Sequence, residues 1–473
     1  MKAINKAQEI MKKKNSIIIR GERIFLKILG EDDASEEYAS WINDNEVNRY
    51  LETKKTTVDD LKKYIAERAR SDECLFFGIF LNEDGSGKHG KHIGNIKLEP
   101  ISTKDKIATM GMMIGEKSWW GKGIATEALN ILVDWAFENL DIYEIGLGVL
   151  KDNAAAIKVY EKSGFKVCKL KETGFFMVKR KIRLALGTVQ LGLDYGINNK
   201  GGKPSREKAV EILEEAYKNG IRVFDTAAGY GEAEDILGEF IAKNHLEEKV
   251  SVITKAGKDK ELAVSVTESV KRLKQKQLDG LLLHDPKQMY DEKVVSELKA
   301  AKEKGLVRNI GASVYEEKDA LYAIKAGCFD YVQIPYNVFD HHIDETDFFE
   351  LAKKSRIMII ARSPFLQGLF LMKKEEIPAH LDRAKPLLEK FDRIISKHNL
   401  SRQEAALLFS YSNSRISNVL FGVDNLEQLE ENLTIIKEKK MSEECLSELN
   451  KSFNDVDEDI KNPSRWNKTA GKN

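Results

Sequence analysis

From Leu184 to about Lys439 short apolar runs alternate with helix-period stretches. The runs are Leu184–Leu191, Arg222–Thr226, Ser251–Lys255, Gly280–His284, Arg308–Ser313, Tyr331–Pro335, Ile357–Arg362 and Ile416–Gly422. A run short enough for one strand and apolar on both faces suits a parallel sheet covered by helices. Repeated in this way, the pattern predicts a (β/α)8 TIM barrel.

Three of the runs deliver polar chemistry at their ends. Arg222-Val223-Phe224-Asp225 leads through small residues to Tyr230, Ser251–Lys255 ends on a lysine, and Leu281–Leu283 runs into His284. Parallel barrels keep their active sites at the carboxyl ends of the strands. Asp225, Tyr230, Lys255 and His284 are therefore expected to converge on one face. Taken singly, each has an ordinary structural reading, since a histidine ending a buried strand is usually a satisfied core side chain. Their shared position is what argues for a site.

A chain of 473 residues suggests two or three domains. Lys+Arg and Asp+Glu both number 76, which removes any bulk electrostatic argument for nucleic acid or an anionic membrane and leaves small-molecule substrates. Cys74, Cys168, Cys328 and Cys445 lie far apart without CxxC pairing, so neither a disulfide framework nor a structural zinc is expected, and a reducing cytoplasm fits. Residues 1–15 read as a lysine-rich helix or frayed leader. No stretch reaches the ~18 apolar residues of a membrane span.

The first domain is placed at residues 16–180. Strand-like segments Ile17–Arg20, Ile24–Ile28, Leu75–Leu81, His92–Pro100 and Ile107–Gly115 frame helical stretches near Ala34–Ile42 and Val58–Ala69. A glycine-rich polar turn lies within 83–90. His89 and His92 at this turn lack the carboxylate or cysteine pattern that would complete a metal site. The informative piece runs from Met112 to Leu129, where a strand turns through Gly121 and Gly123 into an amphipathic helix. Glycines allow close backbone approach, and the free N–H groups of a helix start suit a pyrophosphate. GxG alone would be a turn and nothing more. Here Trp120-Gly121-Lys122-Gly123-Ile124-Ala125-Thr126-Glu127 is followed, after a strand Tyr143–Leu150, by Asn153-Ala154-Ala155-Ala156-Ile157-Lys158-Val159-Tyr160-Glu161-Lys162-Ser163-Gly164-Phe165.

That order resembles the GNAT N-acetyltransferases, in particular their ribosomal-protein and nucleotide-sugar acetylating branch, with an α+β mixed sheet. The resemblance implies acetyl-CoA as cofactor. Met113 and Ile114 would bind its pantetheine arm through the backbone, and the amides around Gly121, Lys122, Gly123 and Ala125 its pyrophosphate. Asn153 would contact the cofactor and Tyr160 would protonate the leaving thiolate. Ser118 departs from the Arg or Gln common at the start of the loop. The segment Trp41–Leu51 resembles the acceptor side of enzymes acting on nucleotide-activated amino sugars, with Arg49 meeting a phosphate and Tyr50 or Trp41 stacking on a base. An ordinary helix end with a surface arginine is the competing reading. No residue stands out as general base.

In the barrel, Asp225, Tyr230, Lys255 and His284 in this order resemble the aldo-keto reductases, with further matches at Gly187–Gly192, Ile310–Ser313, Val332–Asn337, Ser363-Pro364 and from Gly422 to Asn432. The resemblance implies NADP or NAD as cofactor: Thr188 within the first match, Ser313 and Gln333 at the carboxamide, Ser363 at the pyrophosphate, and Gly422, Gln428 and Asn432 at the adenosine end. Two departures stand out, Arg362 where an aromatic residue commonly precedes Ser-Pro, and Val314 where asparagine is usual. A free tyrosine of pKa about 10 is a reluctant donor near neutrality. Lys255 would supply the charge that helps Tyr230 protonate the nascent alkoxide, Asp225 would fix Lys255, and His284 would orient the carbonyl oxygen.

The junction Met177–Leu184 contains no flexible linker, so the barrel is placed at 181–450 with the two domains closely packed. The tail, 451–473, is polar and ends in Pro463-Ser464-Arg465-Trp466; it either folds over the barrel mouth or stays exposed and partly disordered. The combined reading is a bifunctional enzyme acting on nucleotide-activated amino sugars for a surface polysaccharide or glycan. The alternative is a protein N-acetyltransferase fused to a nucleotide-sensing or scaffolding barrel.

Overall fold

The computed structural model describes residues 10–83, 85, 89–140, 142–257 and 261–468. The first part of the leader, part of the glycine-rich turn and the last five tail positions lie outside the described residues. Two compact units divide between Lys181 and Ile182.

The first unit is built on strands β1 (Ile18–Arg20), β2 (Ile24–Ile28), β3 (Leu75–Leu81), β4 (His92–Ser102), β5 (Ile107–Ile114), β6 (Glu144–Leu150), β7 (Lys166–Leu170) and β8 (Gly174–Arg180), in the order β1-β2-β3-β4-β5-β6-β8-β7. Every residue of β3 is buried. Strand alternation explains how: Leu75, Phe77, Ile79 and Leu81 join the core against helix Ile124–Asn139, while Phe76 and Phe80 join a second core with Trp41, Leu61 and Ile65. Ser35 and Thr57 cap the two helices of that second layer, Glu36–Asn43 and Val58–Arg70. Lys14, at the end of the leader, is buried, and its Nζ donates to the Ser71 carbonyl at 2.6 Å, just past the end of the second of these helices. That lysine is therefore fixed to the fold.

Parallel pairing of β5 with β6 involves only Ile107–Thr109 against Glu144–Gly146; beyond them the two strands are unpaired. On its other edge β5 stays paired with β4 through Ile114. The sheet thus opens into a wedge at the carboxyl ends of β5 and β6.

The second unit is a closed barrel of parallel strands: β9 (Leu184–Gly187), β10 (Val223–Asp225), β11 (Ser251–Ala256), β12 (Leu278–Leu283), β13 (Val307–Ser313), β14 (Tyr331–Pro335), β15 (Met358–Arg362) and β16 (Asn418–Phe421). The first strand is shorter than its apolar run. It stops at Gly187, and Val189–Gly192 form one helical turn that packs on the outer core through Leu191. Ala185, Ile253, Leu282, Tyr331, Ile360 and Leu420 fill the barrel interior, while their neighbours Leu186, Leu281, Leu283, Val332, Ile359 and Ala361 face the surrounding helices.

The tail packs against this unit. Val456, Ile460 and Trp466 belong to the outer core, and the Trp466 indole N–H donates to the Ile460 carbonyl at 3.2 Å. The exposed-end reading fails up to Trp466 because the apolar residues, spaced among polar ones, all turn to one side. Trp466→Ala is expected to lower unfolding stability by roughly 3–5 kcal/mol, read from denaturant titration; a loss below the resolution of that measurement would show that the segment is only loosely attached.

Candidate active sites

The interior alternation of the barrel decides which side chains crown it. Two residues beyond each interior residue lies the next inward position, so Val223 is followed by Asp225, Ile253 by Lys255, Leu282 by His284, Tyr331 by Gln333, Ile360 by Arg362 and Leu420 by Gly422. Ser313, next after the outward Ala312, completes the ring. The strand-end residues marked in the sequence therefore share one rim.

Hydrogen bonds join them. Ser313 Oγ donates to Gln333 Oε1 at 3.0 Å, and Gln333 Nε2 donates to Asp225 Oδ2 at 2.9 Å. The other Asp225 oxygen accepts from Lys255 Nζ, which also donates to the Thr226 carbonyl at 3.0 Å. Tyr230 stands over this pair with its ring centroid 5.3 Å from Lys255 Nζ, and His284 meets the Tyr230 ring edge-on at 6.0 Å. Lys255 and Asp225 are almost wholly buried. Burial by itself would lower the lysine pKa, but the charge of Asp225, the Tyr230 phenol and the Asp225 hydrogen bond hold it above its ordinary 10.5. For the tyrosine the Lys255 charge acts in the expected direction but does not prevail. Burial raises its pKa, the Lys255 charge pulls it down, Asp225 raises it again, and the net direction is upward from 10.0. Tyr230 therefore rests as a neutral phenol carrying its proton.

Other expected contacts are redistributed. Thr188, assigned to the cofactor, is fully buried; its N–H and hydroxyl both bond the Asp225 carbonyl, at 2.9 and 3.2 Å, which makes it a strut for the acid. Asn432 is buried with its Oδ1 accepting from Gln403, which leaves adenine little access to it. Gln428 caps the turn at Asp424, Oε1 accepting from the Asp424 N–H at 2.9 Å, and lines a cleft of about 780 Å³ with Asn198, Lys208, Lys373 and Glu427. Ser363 adopts φ +62° at the start of a loop with further left-handed residues at Leu366, Gln367 and Gly368. At Gly422 the Gln190 side-chain amide packs directly on the backbone, its Oε1 2.2 Å from where a Cβ would stand; among the described residues that buried oxygen has no hydrogen-bond partner. An acceptor left bare, a cleft by Gln428 and the Ser313–Gln333 pair fit a dinucleotide laid across the rim.

In the first unit Gly121 and Gly123 have φ of +71° and +81°, and helix Ile124–Asn139 starts at N-cap Gly123, with no side chain among the described residues capping it. The N–H groups of its first turn, Ala125 among them, are thus open to an anion. Arg23 braces the loop by donating to the Lys122 carbonyl at 2.8 Å while pairing with Glu127. Met113 and Ile114 lie where β5 is no longer paired with β6; because the Gly115 N–H bonds the Ile93 carbonyl, alternation turns the Met113 backbone to Asn95 of β4, against its expected role, and leaves Ile114 facing the wedge. The Ile114 carbonyl is already engaged by the Trp120 indole N–H at 2.8 Å, so one lone pair remains. Tyr160 is buried, which raises its pKa, and Asn153 caps helix Ala154–Lys162 by accepting from the Ala156 N–H at 3.2 Å.

On the acceptor side Trp41 requires correction. It is 6% exposed and packs so closely on Gly115 that a Cβ there would lie 2.1 Å from the indole; it is a core residue and offers no stacking face. Tyr50 and Arg49 remain at the surface, the Tyr50 hydroxyl donating to the Asp152 carbonyl at 3.1 Å and Arg49 pairing with Asp152 at 3.8 Å. One polar pair, the half-buried His92 with the buried Asn95, escaped the sequence reading as a pair. His92 Nε2 lies 2.9 Å from Asn95 Oδ1, and the Asn95 Nδ2 donor is buried with no partner among the described residues, opposite Met113 in the β4–β5 register. The available signal was a polar residue, Asn95, set between Ile93-Gly94 and Ile96 in a strand.

Comparison with known proteins follows the same division. The aldo/keto reductase family model matches residues 183–453, and an acetyltransferase (GNAT) domain model matches residues 23–166. The barrel is similar to L-galactose dehydrogenase of Arabidopsis thaliana, 27% identical over 304 residues that cover 58% of this chain and 94% of that protein. The first unit is similar to N-acetyltransferase 9-like proteins of Caenorhabditis briggsae, 27% identical over 137 residues covering 28% of this chain and 69% of that one, and of Caenorhabditis elegans, 30% identical over 142 residues covering 28% and 69%. The chain belongs to the aldo/keto reductase family through its barrel and to the GNAT acetyltransferases through its first unit. It is an enzyme of both types. Among the described residues, no helix is long and apolar enough to cross a membrane.

Proposed function

We propose that the barrel reduces a carbonyl with NADH or NADPH and that the first unit transfers acetyl from acetyl-CoA to an amine, both on nucleotide-activated amino sugars. The observation that carries the reductase half is the continuous chain from Ser313 through Gln333 and Asp225 to Lys255, with Tyr230 beside it. A nicotinamide cofactor supplies hydride when bound. Tyr230 Oη, protonated at rest, gives its proton to the oxygen on which negative charge develops. Lys255, held by Asp225 and the Thr226 carbonyl, stabilises the phenolate so formed. His284 directs the carbonyl oxygen toward Tyr230. Gln333 couples the carboxamide position to the acid that holds the lysine, so cofactor and proton donor are positioned by one network.

In the acetyltransferase half, acetyl-CoA supplies the activated acyl group. The wedge beyond Thr109 receives the pantetheine arm, and the uncapped helix start at Gly123 receives the pyrophosphate. Tyr160 then donates a proton to the departing sulfur. Tyr160→Phe is expected to slow acetyl transfer roughly 100-fold while the KM for acetyl-CoA changes little; a proportionate rise in KM with kcat intact would reassign Tyr160 to binding.

Support for a sugar nucleotide comes from exposed Arg49 and half-buried Tyr50, side by side next to Asp152, and from a relative whose name describes action on L-galactose. The test is acetyl-CoA consumption with UDP-amino sugars and with peptides of varied N-termini. Turnover confined to the sugars supports the reading; turnover confined to peptides overturns it in favour of protein acetylation.

A further inference from the structure

The rim of the barrel carries one charge more than the proton donor needs. Of its inward-facing positions, Asp225, Lys255 and Arg362 bear formal charge, and the first two neutralise each other. Arg362, the last residue of β15, is left over. Its guanidinium carbon lies 4.1 Å from the centroid of the Tyr315 ring, Nη2 donates to the Val314 carbonyl at 3.0 Å, and Nη1 approaches Ser363 Oγ at 3.5 Å. These contacts orient the planar group but include no carboxylate. Among the described residues Arg362 has no ion-pair partner. At most two of its five N–H donors are engaged, so part of the fork is free for two parallel bonds to one oxyanion.

The position is close to the chemistry. The Arg362 charge acts on both Tyr230 and Lys255, and on Tyr195, whose hydroxyl accepts from Gln367 at 2.9 Å across the same rim. Half-buried at the rim, the guanidinium keeps donors that no described carboxylate takes up, and a ligand oxyanion would satisfy them. As a clamp between Val314 and Ser363 it would not need to be charged. Stacking on Tyr315 keeps the plane fixed, which suits bidentate recognition in a way a lysine would not.

We propose that Arg362 is a specificity-determining residue of the reductase, holding a carboxylate or phosphate oxyanion of the carbonyl substrate at the rim beside Tyr230. The inference rests on the reductase reading above and narrows its substrate class to anionic carbonyl compounds. Nucleotide-activated sugars, with their diphosphate, fall within that class.

The experiment measures kcat/KM with saturating nicotinamide cofactor for two matched pairs, succinic semialdehyde against butanal and glycolaldehyde phosphate against glycolaldehyde. Full-length wild type, Arg362→Gln and Arg362→Lys are compared, with thermal melts as folding controls. A charged hydrogen-bonded contact predicts a preference for the anionic member of roughly 10- to 100-fold in wild type, shrinking as salt is added. The carboxylate and phosphate pairs show which oxyanion is favoured. Arg362→Gln collapses the ratio within each pair toward one, and Arg362→Lys retains part of it. A wild-type ratio near one in both pairs overturns the proposal, as does a ratio that survives Arg362→Gln. Weakened NADH and NADPH binding by Arg362→Gln, with the ratio unchanged, assigns the residue to the cofactor and likewise overturns it. No turnover of any of the four compounds overturns the reductase reading itself and the proposal with it; turnover without charge preference overturns the proposal alone.

Discussion

Tyr230→Phe loses carbonyl reduction by roughly 10²–10⁴-fold while NADH or NADPH still binds. The expectation follows from where the proton resides. Burial raises the pKa of Tyr230 above 10.0 and the Lys255 charge offsets this only in part. The phenol is therefore loaded throughout the neutral range, and removing its oxygen removes the donor without disturbing the Ser313–Gln333–Asp225 network. The same direction of shift fixes the pH profile. Reduction should stay level as pH rises from neutral and fall only above about pH 10, where the phenol loses its proton. A variant rate equal to wild type, or a wild-type rate that already falls near neutrality, would remove Tyr230 from the role of donor.

The second large effect separates stability from chemistry. Lys255 and Asp225 form a buried ion pair, so removing one partner strands the other in low dielectric. Asp225→Asn and Lys255→Met should each destabilise the barrel by roughly 3–5 kcal/mol and abolish reduction. The double variant should regain much of the lost stability, because no charge is then stranded, and none of the activity. The sign of the pH dependence follows from the raised lysine pKa. The pair's contribution is complete below pH 10.5 and is lost as pH rises through the higher folded value, so it is constant across the neutral range. Denaturant titrations of the four proteins with parallel NADH and NADPH oxidation assays check both halves. A double variant no more stable than the worse single one would mean that packing, and not charge, dominates the site.

The rim of the barrel was legible in the sequence because parallel strands buried on both faces leave polar residues only at their ends. Asp225, Lys255, His284, Ser313 and Gln333 each interrupt or end an apolar run, and a period of two then aims them inward together. What alternation does not encode is the partner of each polar group. Thr188 looked like a ligand contact and is instead bonded to the Asp225 carbonyl, because β9 ends at Gly187 and the turn folds back over β10. Trp41 carries the same chemistry whether it stacks on a base or on Gly115, and only the approach of helix Glu36–Asn43 to the end of β5 decides between them. Trp120 reaching the Ile114 carbonyl depends on how the loop between β5 and the next helix closes, which no residue spacing states. The tail was misjudged because its composition is polar, although Val456, Ile460 and Trp466 suffice to bind it. Arg362 was visible as a departure; its meaning came from the fold, which gives it an aromatic platform and, among the described residues, no counter-ion.

The most direct test of the account is a titration of the purified full-length chain with NADH and with NADPH, followed by nicotinamide fluorescence. Saturable binding of at least one of them, undiminished in Tyr230→Phe, is the predicted result and places a working cofactor site on the barrel. Failure of both to bind the wild-type protein would contradict it: the Arg362 and Val314 rim would then be closed to a dinucleotide, and acetyl transfer would be the chemistry left to the chain.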